Sequence, residues 1–229
     1  MKEHKYSHFN FQDYISLVEN TSNPMLQSFM EKEKKLIEHI ENKKEKTVID
    51  LGAGYGRALP FFKGYCNVLA IENNREMFSE LKKRTNNMEK IKAIFWDITQ
   101  LFEIIENEEV SFPIVMSLQN SLWTVDGNVK KVFSQMKKVR EVYGGSVLVS
   151  FFRAKYLNTL GFELYESTMT MTGKIDYEKS LQTGILWTES GYSSKWWSDE
   201  EIHTIIHDFW FNNKLEIWEE WFYIGYLYN

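Results

Sequence analysis

The sequence predicts an α/β fold, a doubly wound and mostly parallel sheet with helices on both faces. Five short, mainly apolar runs, at 47–51, 67–71, 91–96, 112–118 and 146–152, read as strands of a sheet covered on both sides. Segments with apolar residues at helical spacing separate them, and the connections are short, the pattern that right-handed crossovers produce. The first run leads into a glycine-rich turn, VIDLGAGYGR at 48–57, placed where such sheets gather their ligands.

That turn organises the chain. Three glycines so close together cost backbone entropy, which makes sense where the backbone needs positive φ or must approach a ligand. Residues 57–63 read as a helix start, with Pro60 tolerable only in the first turn. The second run ends at Glu72, twenty residues after Gly52, where two-strand nucleotide sites place an acceptor for ribose hydroxyls. A tight turn plus a surface glutamate is the plainer alternative.

The glycine spacing separates two cofactor classes. A dinucleotide fingerprint is G-x-G-x-x-G, whereas DLGAGYG is G-x-G-x-G with Asp50 two positions ahead. Here the sequence resembles the class I S-adenosylmethionine-dependent methyltransferases, whose first motif it matches residue for residue. The resemblance implies a cofactor, S-adenosylmethionine, lying over Asp50, Gly52, Ala53, Gly54 and Gly56, with Glu72 on the ribose hydroxyls and Asn73 beside it. It also implies that Asp97 accepts from the adenine amino group, that the Ile98 amide meets the ring, and that Leu118 completes the set. Asp97 reads equally as the N-cap of a helix over 99–107.

Composition bounds the rest. At 229 residues, 43% hydrophobic and 26% charged, the chain fits one globular domain with an inserted cap. A net charge of −5 argues against nonspecific nucleic-acid or anionic-membrane binding. No run approaches the ~20 apolar residues of a membrane span, and the opening MKEHKYSHFN lacks a signal peptide's apolar core, so the expected compartment is the cytoplasm. The single cysteine, Cys66, reads as a small packed residue.

Residues 1–23 carry Tyr6, Phe9, Phe11 and Tyr14 without a clean period, and serve as a cover over the cofactor or as a packing arm. A helix is expected over 24–40, started by Pro24, another after Glu72 with a basic last turn, and a third over 126–143, ended by Gly144 and Gly145. After Arg153 the pattern changes. Stretches such as LYESTMTMTG and QTGILWTESGY, rich in Thr, Tyr and Trp, predict a β-rich insertion over the active-site edge or a hairpin extending the core. Ser198 and Glu201 form a capping box for a last helix. Residues 214–221 and 222–228 resemble the final antiparallel strands of the methyltransferase sheet, bringing the count to seven. No Gly, Pro or Asn lies between Leu215 and Ile224 to mark their turn. The expected organisation is an N-terminal arm and helix (1–46), a cofactor-binding core (47–160), a β-rich cap (161–197) and a C-terminal helix and strands (198–229).

Methyl transfer from a sulfonium is an in-line displacement, which needs donor and acceptor docked end to end more than it needs a base. A neutral amine attacks directly, whereas a hydroxyl calls for a base within reach. No base motif is evident, which points to a small-molecule acceptor methylated at an amine nitrogen. Transfer to a hydroxyl, or a noncatalytic cofactor-binding module, stays open. Gln119 and Asn120, at the carboxyl end of the fourth strand, are the candidate catalytic residues, and Asn120, Trp123, Tyr192 and Trp196 the candidate acceptor contacts, the aromatics offering π faces to a cationic or amine ligand. The stretch SLQNSLWTVDG at 117–127 is similar to the glycine and sarcosine N-methyltransferase branch, with Gln119 where that branch usually has glycine. His203 and His207 share a helix face but lack the following Glu of a zinc motif, so no metal is expected. G-x-S-x-G and Walker sequences are missing as well.

Overall fold

The computed structural model describes residues 11–119, 121–124, 129–208 and 213–228. Its centre is a seven-stranded sheet in the order β3-β2-β1-β4-β5-β9-β8. Strands β1 (Thr47–Leu51), β2 (Asn67–Glu72), β3 (Ile91–Phe95), β4 (Ile114–Ser117) and β5 (Ser146–Phe152) run parallel. β9 (Phe222–Tyr228) and β8 (Asn213–Trp218) close the far edge antiparallel. Strand order reverses between β1 and β4, which opens a crevice at their carboxyl ends.

Alternate residues of β1 serve opposite faces. Val48 packs into one apolar layer with α2 (Pro24–His39) and α3 (Arg75–Thr85), and Ile49 and Leu51 into another with α4 (Leu101–Ile105), α5 (Val129–Tyr143) and α9 (Asp199–Asp208). All five residues of β1 are buried, the polar Thr47 and Asp50 together with Val48, Ile49 and Leu51, as in a strand covered on both faces. Local signals fix the helix starts: Asn23 accepts from the Met25 and Leu26 amides ahead of α2, Asn74 from the Glu76 and Met77 amides ahead of α3, and Ser198 and Glu201 exchange the reciprocal bonds of a capping box at 3.0 and 2.9 Å.

Three expectations are corrected. The helix expected at 57–63 is only a 3₁₀ turn, Leu59–Phe62, which ends where Lys63 leaves the helical conformation and Gly64 takes a positive φ of +94. The strand expected at 112–118 begins at Ile114, since Phe112 has φ +39 and is exposed. The insertion is largely helical. After a π-turn at Leu157–Gly161 come α6 (Phe162–Glu166), α7 (Met169–Thr172) and α8 (Tyr177–Thr183), and only then a hairpin of β6 (Ile185–Trp187) with β7 (Ser193–Lys195). Leu164, Tyr165, Thr168 and Thr172 are buried, and their spacing is that of one helix face; packing overrides the β preference of the threonines.

The unmarked turn between β8 and β9 is held from outside. The Glu219 amide donates to the Phe222 carbonyl at 3.0 Å. The Arg153 guanidinium donates to the carbonyls of Glu219 and Glu220 while forking onto Asp199 at 2.8 and 2.7 Å. A turn whose carbonyls are satisfied by a buried arginine needs no glycine or proline. α1 (Phe11–Glu19) lies against Tyr55 through Ile15 and Val18, and is pinned at its end by Glu19 to Arg84, 2.7 Å, whose guanidinium sits over the Tyr55 ring.

Candidate active site

A cavity of about 220 Å³ crosses the carboxyl ends of the parallel strands. Its wall runs from Ile98, three residues beyond β3, past Glu72 of β2 and Asp50 of β1, to Leu118 and Gln119 after β4 and Phe152 of β5. Phe11, Tyr14 and Val18 of α1 cover it, so the N-terminal helix is a cover as well as a packing element.

The glycine turn makes one side. At Gly54, φ +58, no atom lies within 4 Å of where a Cβ would stand, and its amide donates to Glu72 Oε2 at 2.8 Å. Glu72 Oε1 accepts from the Asn73 and Asn74 amides at 2.9 and 2.7 Å. Three backbone donors therefore fix this carboxylate at the rim of the turn. Gly56 serves a different end. It has φ +89, and a Cβ there would meet Leu59 Cδ1 at 2.6 Å, so its smallness allows the turn to pack on the core.

Behind the turn lies an ion pair that the sequence reading missed. Glu33 of α2 is fully buried. Its Oε2 accepts from Arg57 at 2.7 Å, and its Oε1 from the Gln119 amide and the Ser150 hydroxyl, each at 2.7 Å. The Gln119 backbone is left-handed, φ +52, a conformation that costs a non-glycine residue about 1 to 2 kcal/mol and is anchored here by Glu33. A sequence signal existed: Glu33 stands on the same stripe as Phe29, Leu36 and Ile37, the other buried residues of α2.

Burial dominates the electrostatics. It pushes the Asp50 carboxyl up to about 7, with Arg57 pulling the other way and Glu33 and Glu72 adding to the rise. It likewise raises the hydroxyls of Tyr14 and Tyr165. Tyr165 of α6 faces the Tyr192 ring at 5.9 Å between centroids, and both line the cavity near Phe152 and Leu164.

The structure brings Asp50, Gly52, Ala53, Gly54, Glu72, Asn73, Ile98, Leu118, Gln119 and Tyr192 to this one cavity. Asp97 caps the turn after β3, one carboxylate oxygen accepting from the Thr99 amide at 2.8 Å, and Ile98 beside it lines the wall. Trp196 does not form an aromatic wall. It is buried in the core against Phe152 and Trp221, at 5.1 and 6.3 Å, where the missing side chain of Gly161 leaves it room. Asn120 and the Trp123 side chain lie outside the described residues. Beyond the expected set, Tyr14, Arg57, Ser121, Phe152 and Tyr165 also line the cavity. His203 stacks on Trp218, 4.9 Å between centroids. Among the described residues no group of three His, Cys, Asp or Glu side chains could hold a metal, and no helix is long and apolar enough to cross a membrane.

No family model and no curated protein matches the chain by sequence. Solved structures do match its fold. An S-adenosylmethionine-dependent methyltransferase from Clostridium acetobutylicum aligns with a TM-score of 0.59 at 13% identity, covering 96% of this chain and 98% of its own. The chain has the class I methyltransferase fold. The same fold recurs in PH0226 protein from Pyrococcus horikoshii, TM-score 0.57, 18% identity, 98% and 94% covered. It recurs also in 1,6-didemethyltoxoflavin-N1-methyltransferase from Burkholderia thailandensis, solved with 1,6-didemethyltoxoflavin and S-adenosylhomocysteine, TM-score 0.54, 11% identity, 94% and 85% covered. Open α/β sheets place their crevice at the reversal of strand order, here between β1 and β4, where this chain has its cavity.

Proposed function

We propose that the protein is an S-adenosylmethionine-dependent methyltransferase acting on a small molecule, at an amine nitrogen. The observation that carries this reading is Glu72: a carboxylate at the end of β2, fixed by three backbone amides beside the open face of Gly54. The residues present fit an adenosyl ligand. Glu72 is a charged acceptor for vicinal hydroxyls, Ile98 an apolar surface for a base, and the turn around Gly54 leaves room for close approach. The Burkholderia neighbour of the same fold holds S-adenosylhomocysteine.

When bound, S-adenosylmethionine supplies an activated methyl group on a sulfonium. The chain's share is positional. The buried Glu33 holds Gln119 at the mouth of β4, α1 and α6 exclude water, and the cavity extends past the turn to Phe152 and Tyr192. Orientation of this kind contributes ~7 to 11 kcal/mol in favourable cases. Glu72, Ile98 and the turn around Gly54 would hold the donor, and an amine placed between Gln119 and Tyr192 would meet its methyl group in line.

A second reading, transfer to a hydroxyl, draws on Asp50, whose carboxyl is held near neutrality by burial and lines the same cavity. Incubation with methyl-labelled S-adenosylmethionine and a matched panel of amines and phenols separates the two. Label on nitrogen supports the first and label on oxygen the second. Binding of the adenosyl ligand with no transfer to any acceptor favours a noncatalytic module.

A further inference from the structure

The charges around the cavity are unequal. Asp50 and Glu72 line it, Glu33 lies just behind it, and Arg57 is the one cationic side chain among the described lining residues. Arg57 is at the glycine-turn end, 2.7 Å from a carboxylate that is wholly buried. Its charge is therefore already matched inside the protein, and whatever reach it retains is toward the turn. The opposite end, under β5 and the insertion, is built from Phe152, Leu164, Tyr165 and Tyr192 with Thr168 and Thr172. Those threonine hydroxyls donate to the carbonyls of Tyr165 and Thr168 at 3.1 and 3.2 Å. They are spent on their own helices.

An anion entering that end would lose water and find no cation among the described lining residues, which disfavours its burial. A flat apolar body, by contrast, gains from ring contacts and from burial, and a positively charged or polarised amine gains further from the π faces of Phe152, Tyr165 and Tyr192.

We infer that the acceptor is a neutral or cationic molecule with an apolar, aromatic body and no carboxylate or phosphate, so that free amino acids such as glycine are excluded. The inference rests on the methyltransferase reading and narrows its substrate class.

The test is a set of matched pairs that differ by one carboxylate: tryptamine with tryptophan, tyramine with tyrosine, and phenethylamine with phenylalanine. Each is assayed with methyl-labelled S-adenosylmethionine, and binding of S-adenosylhomocysteine is measured separately. The expected result is kcat/KM at least ~100-fold higher for the amine of a pair than for its amino acid, the discrimination that an unpaired buried charge produces. Equal or better use of the amino acids overturns the inference, as does failure of all six compounds while S-adenosylhomocysteine binds. Failure of S-adenosylhomocysteine itself to bind overturns the underlying reading instead.

Discussion

Glu33 and Arg57 meet at 2.7 Å across 24 residues of sequence, with the glutamate carboxylate wholly buried. The pair joins α2 to the glycine turn, and through the second oxygen of Glu33 it reaches the loop after β4 and Ser150 of β5. One side chain thus sets the spacing of the three strand ends that frame the cavity.

Removing that side chain leaves a cation, an amide and a hydroxyl without their acceptor. Glu33→Ala is expected to cost about 3 to 5 kcal/mol of stability, read from urea unfolding. A loss within 0.5 kcal/mol, the range of an ordinary surface substitution, contradicts the account of the network.

Asp50 makes stability depend on pH in a definite direction. Its carboxyl is raised from 3.8 to about 7 by burial, so the folded protein keeps a proton that the unfolded chain has lost. Stability from this group is full at low pH, falls as pH rises from about 4 to about 7, and is level above. Asp50→Asn should remove that slope. The stability difference between variant and wild type is therefore expected to grow across the window; parallel curves from pH 4.5 to 7.5 contradict it.

Arg153 behaves oppositely through its partner. Its hydrogen bonds hold the Asp199 carboxyl below the usual carboxylate range, so the stability it lends is present above about pH 4 and lost as pH falls through the lowered value. Lysine cannot reproduce the fork onto Asp199 and the Glu219 and Glu220 carbonyls. Arg153→Lys is expected to lose about 1.5 to 3 kcal/mol at pH 7, and less at pH 3. Equal losses at both values sink the assignment.

The parallel core was legible because β1, β2, β4 and β5 are buried on both faces and leave largely apolar runs, in which Val48, Ile49 and Leu51 announce themselves, whereas β3, at the sheet edge, is partly exposed. The glycine turn and Glu72 were legible because the chemistry of a nucleoside site ties them at a fixed distance. Glu33 was not, since its neighbours in the run EKEKK read as a solvated face and its partner is supplied only by the fold. The helices of the insertion were hidden for a related reason. Thr168, Met169, Thr170, Met171 and Thr172 alternate like a strand, while the burial of Thr168 and Thr172 follows a helix. Trp196 and Tyr192, four residues apart, look alike in sequence, yet one faces the core and the other the cavity.

Glu72 links the fold to the proposed chemistry. Glu72→Ala is expected to weaken adenosyl-ligand binding by ~10- to 100-fold, as loss of hydrogen bonds to a charged acceptor does, in a protein that still unfolds cooperatively. Unchanged affinity removes Glu72 from the site.

The most direct measurement is calorimetric titration of the protein with S-adenosylmethionine, S-adenosylhomocysteine and NAD in parallel. The cavity beside Glu72 and the turn around Gly54 predicts saturable binding of both adenosyl compounds and none of NAD. Binding of NAD alone, or of none of the three, contradicts the central claim.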